Sequence, residues 1–308
     1  MTTSHILVIK LGALGDFVQA LGPFAAIRAH HAESHITLLT TRPFAEFALA
    51  SPWFDQVWID DKPKWWRLDK MAALGAKLRS GGFSRVYDLQ TSGRSGRYFA
   101  LMGKNPEWSG IAEGCSHPHA NPGRDFMHTM ERQREQLEMA GITDFPGPDL
   151  GWIKSDLARF GLPARFALLC PGGAPHRPAK RWPAERFAAL AIWLAERGIT
   201  PVLLGTHKEE SEIAVIRARC PQAVDLADRT SFLDIAALAG HAVCAIGNDT
   251  GPMHLIAAAG AKALVLFSDE SDPLLCAPRG KVTVLRRPSL SALDPDEVEA
   301  ALAGMLAS

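Results

Sequence analysis

The sequence lacks any apolar run near the ~20 residues that a membrane-spanning helix needs, so none is predicted. It lacks net charge: 33 Lys and Arg balance 33 Asp and Glu. No global field therefore argues for nucleic acid as a partner. It lacks any C-x-x-C pair, and its five cysteines (Cys115, Cys170, Cys220, Cys244 and Cys276) are odd in number and scattered. Three lie in or beside apolar runs, and all read as small buried hydrophobes of a reducing compartment. The apolar N-terminus lacks a basic region, and Lys10 and Asp16 interrupt it. It does not read as a signal peptide, so the expected location is cytoplasmic, with peripheral contact at a membrane surface left open. The full G-x-G-x-x-G fingerprint is also missing, because only Gly12 and Gly15 follow the first strand. That argues against a nicotinamide dehydrogenase. The one D-x-D, Asp294-Pro295-Asp296, begins a predicted terminal helix and reads as a cap, so no metal site is expected.

What is present is an α/β rhythm long enough for two domains. With 308 residues, of which 47% are apolar and 21% charged, the chain has the composition of a globular protein of two ordinary domains. Asp144-Phe145-Pro146-Gly147-Pro148-Asp149 is the best linker, which places the domains at residues 1–148 and 149–308, with the final helix able to pack back on the first. In the first half, strands are predicted at His5–Lys10, His35–Thr40, Gln56–Ile59 and Arg85–Leu89. Helices are predicted at Phe17–His30, Phe44–Ala50 and Arg124–Ala140. Each half begins with a strand and a glycine-containing turn, the pattern of a doubly wound parallel sheet.

The chain is organised around Ala242 to Pro273. Ala242–Ile246 reads as a buried strand, Gly247-Asn248-Asp249-Thr250-Gly251 as a tight turn, Pro252–Ala259 as a helix and Ala263–Phe267 as the next strand. Asp249 or Thr250 can cap that helix, and the proline falls in its first turn. Such a unit presents backbone N–H groups and the positive end of a helix dipole, a natural seat for phosphate, with Thr250 and His254 as further donors. The same run reads equally as an ordinary capped connection. Pro171-Gly172-Gly173-Ala174 follows another strand and lets a ligand approach the backbone. Lys180 and Arg181 stand just ahead of a helix start, against its dipole, which suggests a functional reason for them. Glu209 and Glu210 lie in a helix's first turn, where the dipole alone favours carboxylates.

In the first half, Asp16 sits at a strand–helix turn, either as a cap or as a carboxylate facing a cleft. Residues 62–104 carry ten Lys or Arg against two acids, and Trp65-Trp66 lie among them. That suits an anionic partner, a membrane interface or a sugar-stacking surface, or else a solvated face with the tryptophans turned inward. Gln90 to Arg97 form a polar turn in which Arg94 and Arg97 can hold an acid group and Thr91 or Ser92 can cap a helix. His117-Pro118-His119, with His128 beyond, is a poor metal site.

Gly15-Asp16, Lys180 with Trp182-Pro183, and Asp249-Thr250-Gly251-Pro252-Met253-His254 followed by Phe267 to Pro273 together resemble glycosyltransferase family 9, the bacterial heptosyltransferases. Ser268 stands where that family usually has glycine, and Ser271 near its usual threonine. The resemblance implies a GT-B fold of two facing Rossmann-like domains with a central cleft, and an inverting, metal-independent transfer without a cofactor. The donor it implies is a nucleotide sugar, by default ADP-heptose; the acceptor is an anionic glycolipid of the lipopolysaccharide inner core. It makes Asp16 the catalytic base and assigns the donor to Lys180, Asp249, Thr250, Gly251 and His254, to which the turn at Gly172 adds a backbone contact. Glu209 or Glu210 is left for the ribose. Lys62, Lys64, Arg67 and Lys70 are acceptor candidates, joined by Arg94 and Arg97. The readings kept beside it are another nucleotide-sugar donor, an epimerase, and a non-catalytic sugar-nucleotide sensor.

Overall fold

The computed structural model describes residues 4–103, 106–174 and 176–307; Lys104, the last cation of the basic stretch, lies outside them. The chain divides into two compact units, Met1–Trp152 and Ile153–Ser308.

The first unit holds strands β1 (His5–Ile9), β2 (His35–Thr40), β3 (Gln56–Ile59), β4 (Arg85–Asp88), β5 (Glu107–Gly110) and β6 (His117–Pro118). They form one parallel sheet in the order β3-β2-β1-β4-β5-β6. Its helices are α1 (Leu14–Val18), α2 (Leu21–His30), α3 (Arg42–Ala50), α4 (Leu68–Ser80), α5 (Gly93–Met102) and α6 (Thr129–Met139). The second unit repeats the plan. Strands β7 (Phe166–Cys170), β8 (Thr200–Leu203), β9 (Val224–Asp225), β10 (Cys244–Asn248), β11 (Ala263–Ser268) and β12 (Val282–Arg287) pair in parallel in the order β12-β11-β10-β7-β8-β9. Helices α7 (Ala184–Glu196), α8 (Glu210–Arg219), α9 (Phe232–His241), α10 (Gly251–Ala258), α11 (Pro273–Cys276) and α12 (Pro295–Ala307) connect and follow them.

The central strands are buried on both faces, which is why they read as unbroken apolar runs rather than alternating ones. Each sheet reverses its winding once, between β1 and β4 and between β7 and β10. At such a reversal the two flanking connections leave in opposite directions and open a crevice at the carboxyl edge. The loops after those four strands are the ones carrying Asp16, Asp88 to Arg94, Gly172 and Asp249.

The sequence-based elements need several adjustments. The helix expected over Phe17–His30 is two, because Pro23 cannot donate into a continuous ladder and Ala20 N closes α1 on Phe17 O at 3.1 Å. The helix expected from Arg124 begins as a 3₁₀ turn, Arg124–Phe126, and α6 starts afresh after His128, whose ring accepts from Met130 N at 3.2 Å. Strands β5, β6 and β9 were not expected, since they are short and carry no apolar run. The terminal helix α12 buries Val298 and Leu302 in the core of the second unit, with Leu190 and Leu194 of α7. Cys115, Cys170, Cys220 and Cys244 are buried and Cys276 is partly so, none of them in a disulfide. Burial pushes the Cys170 and Cys244 thiols up to about 12, which leaves them unreactive.

Two glycines test the packing. A Cβ on Gly247, in β10, would lie 2.6 Å from Cys170 Cβ and 2.8 Å from Met253 Sδ, whereas one on Gly96, in α5, would meet open space. Gly247→Ala is expected to lower stability by about 1–3 kcal/mol through overpacking. Gly96→Ala is expected to raise it by about 0.5–1 kcal/mol by stiffening the unfolded chain within a helix. Thermal unfolding of the two variants checks this, and equal effects contradict it.

Candidate functional site

The second unit gathers its polar groups around β10. Asn248, fully buried at the end of that strand, donates through Nδ2 to Pro171 O and Gly172 O, both at 2.9 Å, and accepts from Trp182 N at 3.1 Å. It thereby joins the turn after β7, the turn before α7 and its own strand. Trp182, 1% exposed, packs edge-on against Phe187 with centroids 4.9 Å apart and donates its indole N–H to Leu293 O at 3.0 Å. That anchor fixes the 3₁₀ turn Pro178–Lys180, so that Lys180 Nζ meets Asp249 Oδ2 at 2.5 Å. Ser271 Oγ donates to the same carboxylate oxygen at 2.7 Å. The side chains of Lys180 and Asp249 are only 14% and 9% exposed, so each charge depends on the other. Arg181 pairs with Glu212 at 2.6 Å. Partner carboxylates thus offset the placing of two cations before a helix start.

Thr250 occupies the cap position of α10, but its hydroxyl turns to Asn248 O at 3.2 Å and takes up none of the first-turn N–H groups. Asp249 is not the cap. In that turn Pro252 has no N–H and Met253 N donates to Thr250 O at 3.1 Å, so the Gly251 N–H is the group left for an anion. His254 is buried within α10 at 7% exposure. The ambiguous glutamates separate. Glu209 closes a capping box on Thr206, accepting from its N at 2.8 Å and Oγ1 at 2.9 Å. Its side chain lies against the turn after β7, where a Cβ on Gly172 would be 3.0 Å from Glu209 Cγ. Glu210 is exposed at the start of α8. Only Glu209 joins the Gly172 side of the site.

In the first unit, Asp16 is exposed in the first turn of α1 and is not its cap; Ala13 holds that position. Lys10 and Asp88 lie behind it. Lys10, 3% exposed, donates from Nζ to Leu89 O at 2.9 Å. Asp88 is fully buried, and its Oδ1 accepts from Gln90 N at 3.1 Å and Thr91 N at 3.0 Å. Burial lowers the Lys10 ammonium to about 8 against the pull of Asp16 and Asp88, and raises Asp88 to about 6 against its hydrogen bonds and Lys10. Thr91, a β-branched residue held at φ +42°, and Lys62, at φ +49°, are strained at the exits of β4 and β3. Strain of about 1–3 kcal/mol at such positions persists where the surroundings fix it and gathers at binding sites. Thr91 Oγ1 accepts from Arg124 Nη2 at 2.7 Å. Arg124 Nε donates to His119 Nδ1 at 3.1 Å, so His119 presents its other N–H to Glu135 Oε2 at 2.8 Å. The neighbouring Arg132 adds a second cation, close enough to lower the Arg124 guanidinium further after burial has done so.

The expected acceptor cations fall into two groups. Lys62 Nζ donates to Leu11 O at 3.2 Å, in the turn after β1, and Arg94 Nη1 to Pro63 O at 3.2 Å, in the segment after β3. Lys64 lies over the Trp66 ring, Arg67 binds Asp69 at 3.0 Å, and Lys70 and Arg97 are exposed. Ser92, not Thr91, caps α5, in a capping box with Ser95. Lys10, Asp88, Arg124 and Arg132 were missed in sequence. Lys10 had left a signal, a charge ending an apolar strand. Among the described residues, no group of three or more His, Cys, Asp or Glu is placed to hold a metal ion.

Comparison with known proteins adds to this geometry. The family model for glycosyltransferase family 9 (heptosyltransferase) matches residues 71–289. Lipopolysaccharide heptosyltransferase 2 of Salmonella typhimurium is 32% identical over 222 residues, 64% of this chain. The chain spans 63% of that relative's length and 35% of its Haemophilus influenzae counterpart's. A glycosyl transferase family 9 structure from Veillonella parvula superposes with a TM-score of 0.84 at 21% identity, covering 99% of this chain and 97% of that one. The E. coli heptosyltransferase WaaC with ADP-2-deoxy-2-fluoro heptose does so at 0.76 and 20% identity, covering 97% and 99%. These likenesses carry the α/β, GT-B fold class expected from the sequence. With the family model matched over most of its length, the chain belongs to glycosyltransferase family 9.

Proposed function

We propose that the protein is an inverting, metal-independent transferase moving heptose from ADP-heptose to an anionic inner-core glycolipid of lipopolysaccharide. The observation that carries this reading is the Lys180–Asp249 pair beside the start of α10, where no side chain caps the Gly251 N–H. The two together make a seat for a diphosphate. Lys180 and the Gly251 N–H at the positive end of α10 take the charge that develops on the leaving ADP, the electrostatic contribution that usually dominates such transfers. Asp249 and Ser271 hold the ammonium in place. Glu209, rather than Glu210, takes the ribose hydroxyls, with Gly172 leaving room for the nucleoside. The relatives' names support the donor, and the WaaC structure contains an ADP-heptose analogue.

The first unit supplies the acceptor side. Asp16 accepts the proton of the acceptor hydroxyl as its oxygen attacks the anomeric carbon; the bond from that carbon to the diphosphate oxygen breaks, and ADP leaves. Lys62, Arg94 and the arginines at 124 and 132 offer positive charge to the acid groups of the acceptor. A lipid-linked acceptor brings the protein to the cytoplasmic face of a membrane.

Thermal shift without added metal tests the donor. ADP-heptose at about 100 times its Kd is expected to add about 2.7 kcal/mol of stability. Asp16→Asn is expected to keep that shift while lowering kcat by about 10²–10⁴. Activity that a chelator abolishes and magnesium restores contradicts the metal-independent reading. Glu209→Ala is expected to shrink the ADP-heptose shift and to cost about 1 kcal/mol of stability through the lost cap, whereas Glu210→Ala leaves the shift unchanged. The reverse pattern reassigns the ribose contact.

A further inference from the structure

The paired tryptophans between β3 and α4 do not pack inward. Trp65 is 62% exposed, Trp66 56% and Leu68 75%, whereas Trp53, Trp108 and Trp182 are 5%, 0% and 1% exposed. This fold buries large aromatics where it needs them, and it leaves these three neighbouring apolar side chains in solvent. Contiguous exposure of that kind marks an interaction surface. Its charge is local and positive. Residues 62–70 hold four cations and one acid, Asp69, in a chain whose overall charge is zero, and Asp69 is already bound to Arg67 at 3.0 Å.

We propose that Trp65, Trp66 and Leu68, ringed by Lys64, Arg67 and Lys70, form the surface by which the first unit docks on an anionic lipid bilayer. Indole rings settle at the level of lipid headgroups, with their bodies in the acyl boundary and their N–H groups in water. Lysines beside them are drawn to the negative surface. The geometry disfavours a sugar platform. The two rings stand edge to face at 89°, and Lys64 Nζ covers the Trp66 ring at 5.1 Å, whereas a stacking sugar needs an open flat face. The structure thereby divides the basic stretch. Lys62 turns to the β1 exit and Arg94 is held on Pro63 O, whereas Lys64, Arg67 and Lys70 are exposed beside the aromatic pair.

The proposal names the partner of a surface beside the acceptor side, but vesicle binding needs neither donor nor acceptor. Its failure and that of the transferase reading are therefore read separately. Sucrose-loaded vesicles of phosphatidylcholine, with and without phosphatidylglycerol, are sedimented with the full chain at low and high salt. The wild-type protein is expected to sediment with the anionic vesicles at low salt and to be released by high salt. Trp65→Ser/Trp66→Ser is expected to weaken partition at least about tenfold. Lys64→Gln/Lys70→Gln is expected to weaken it about fivefold per lysine, on anionic vesicles only. Leu68→Ser serves as an independent variant, and thermal unfolding checks that each folds. Absent sedimentation of the wild-type protein, or tryptophan variants that bind as well as it does, overturns the proposal. So does a tryptophan effect confined to the KM of a delipidated, soluble acceptor.

Discussion

A parallel sheet whose strands are covered on both faces leaves its polar chemistry little room except at the edge where the strands end. Both units of this chain obey that constraint. Their central strands are apolar through the middle, and polar groups gather where the strands end: Lys10 just after β1, Asp88 as the last residue of β4, Asn248 as the last of β10. The winding reverses between β1 and β4 and between β7 and β10, so those edges are also where a crevice opens. Fold and site are two consequences of one arrangement.

The two edges solve the problem of buried charge differently. In the second unit, Lys180 and Asp249 neutralise each other directly, and Ser271 completes the carboxylate's partners. In the first, Lys10 and Asp88 are set into the sheet's end behind an exposed Asp16. Burial draws each of them toward its neutral form, while Asp88 gains backbone N–H bonds and Lys10 a carbonyl. A paired, largely buried Lys180–Asp249 at one edge and an exposed Asp16 backed by buried charge at the other suit the transfer proposed above.

The central strands were legible in the sequence because continuous apolar runs bounded by turns admit few other readings. The turn from Asp249 to His254 was legible because strand, glycine and proline fall in the order that a helix start demands. The edge strands β5, β6 and β9 were not, since two to four residues such as His117-Pro118 carry no periodicity. The choice between Glu209 and Glu210 was in fact written in the sequence, as Thr206-x-x-Glu209, a capping box that orients the first glutamate. Arg124 and Lys10 could not be paired from sequence, because Arg124 reaches Thr91 across 33 residues and Lys10 reaches Leu89 across 79. Only the sheet order brings them together. The tryptophans at 65 and 66 were equally open, since composition suits a buried pair and an exposed one alike.

The central claim is that Asp249 acts on the diphosphate through Lys180. Titration calorimetry with ADP, which lacks the sugar, isolates that contact in the wild-type protein, Lys180→Gln, Asp249→Asn and the double variant. The account predicts strong coupling: once Lys180 is gone, removing the Asp249 charge changes ADP affinity little further. Effects that add to within about 0.5 kcal/mol would show the two residues acting independently and contradict it.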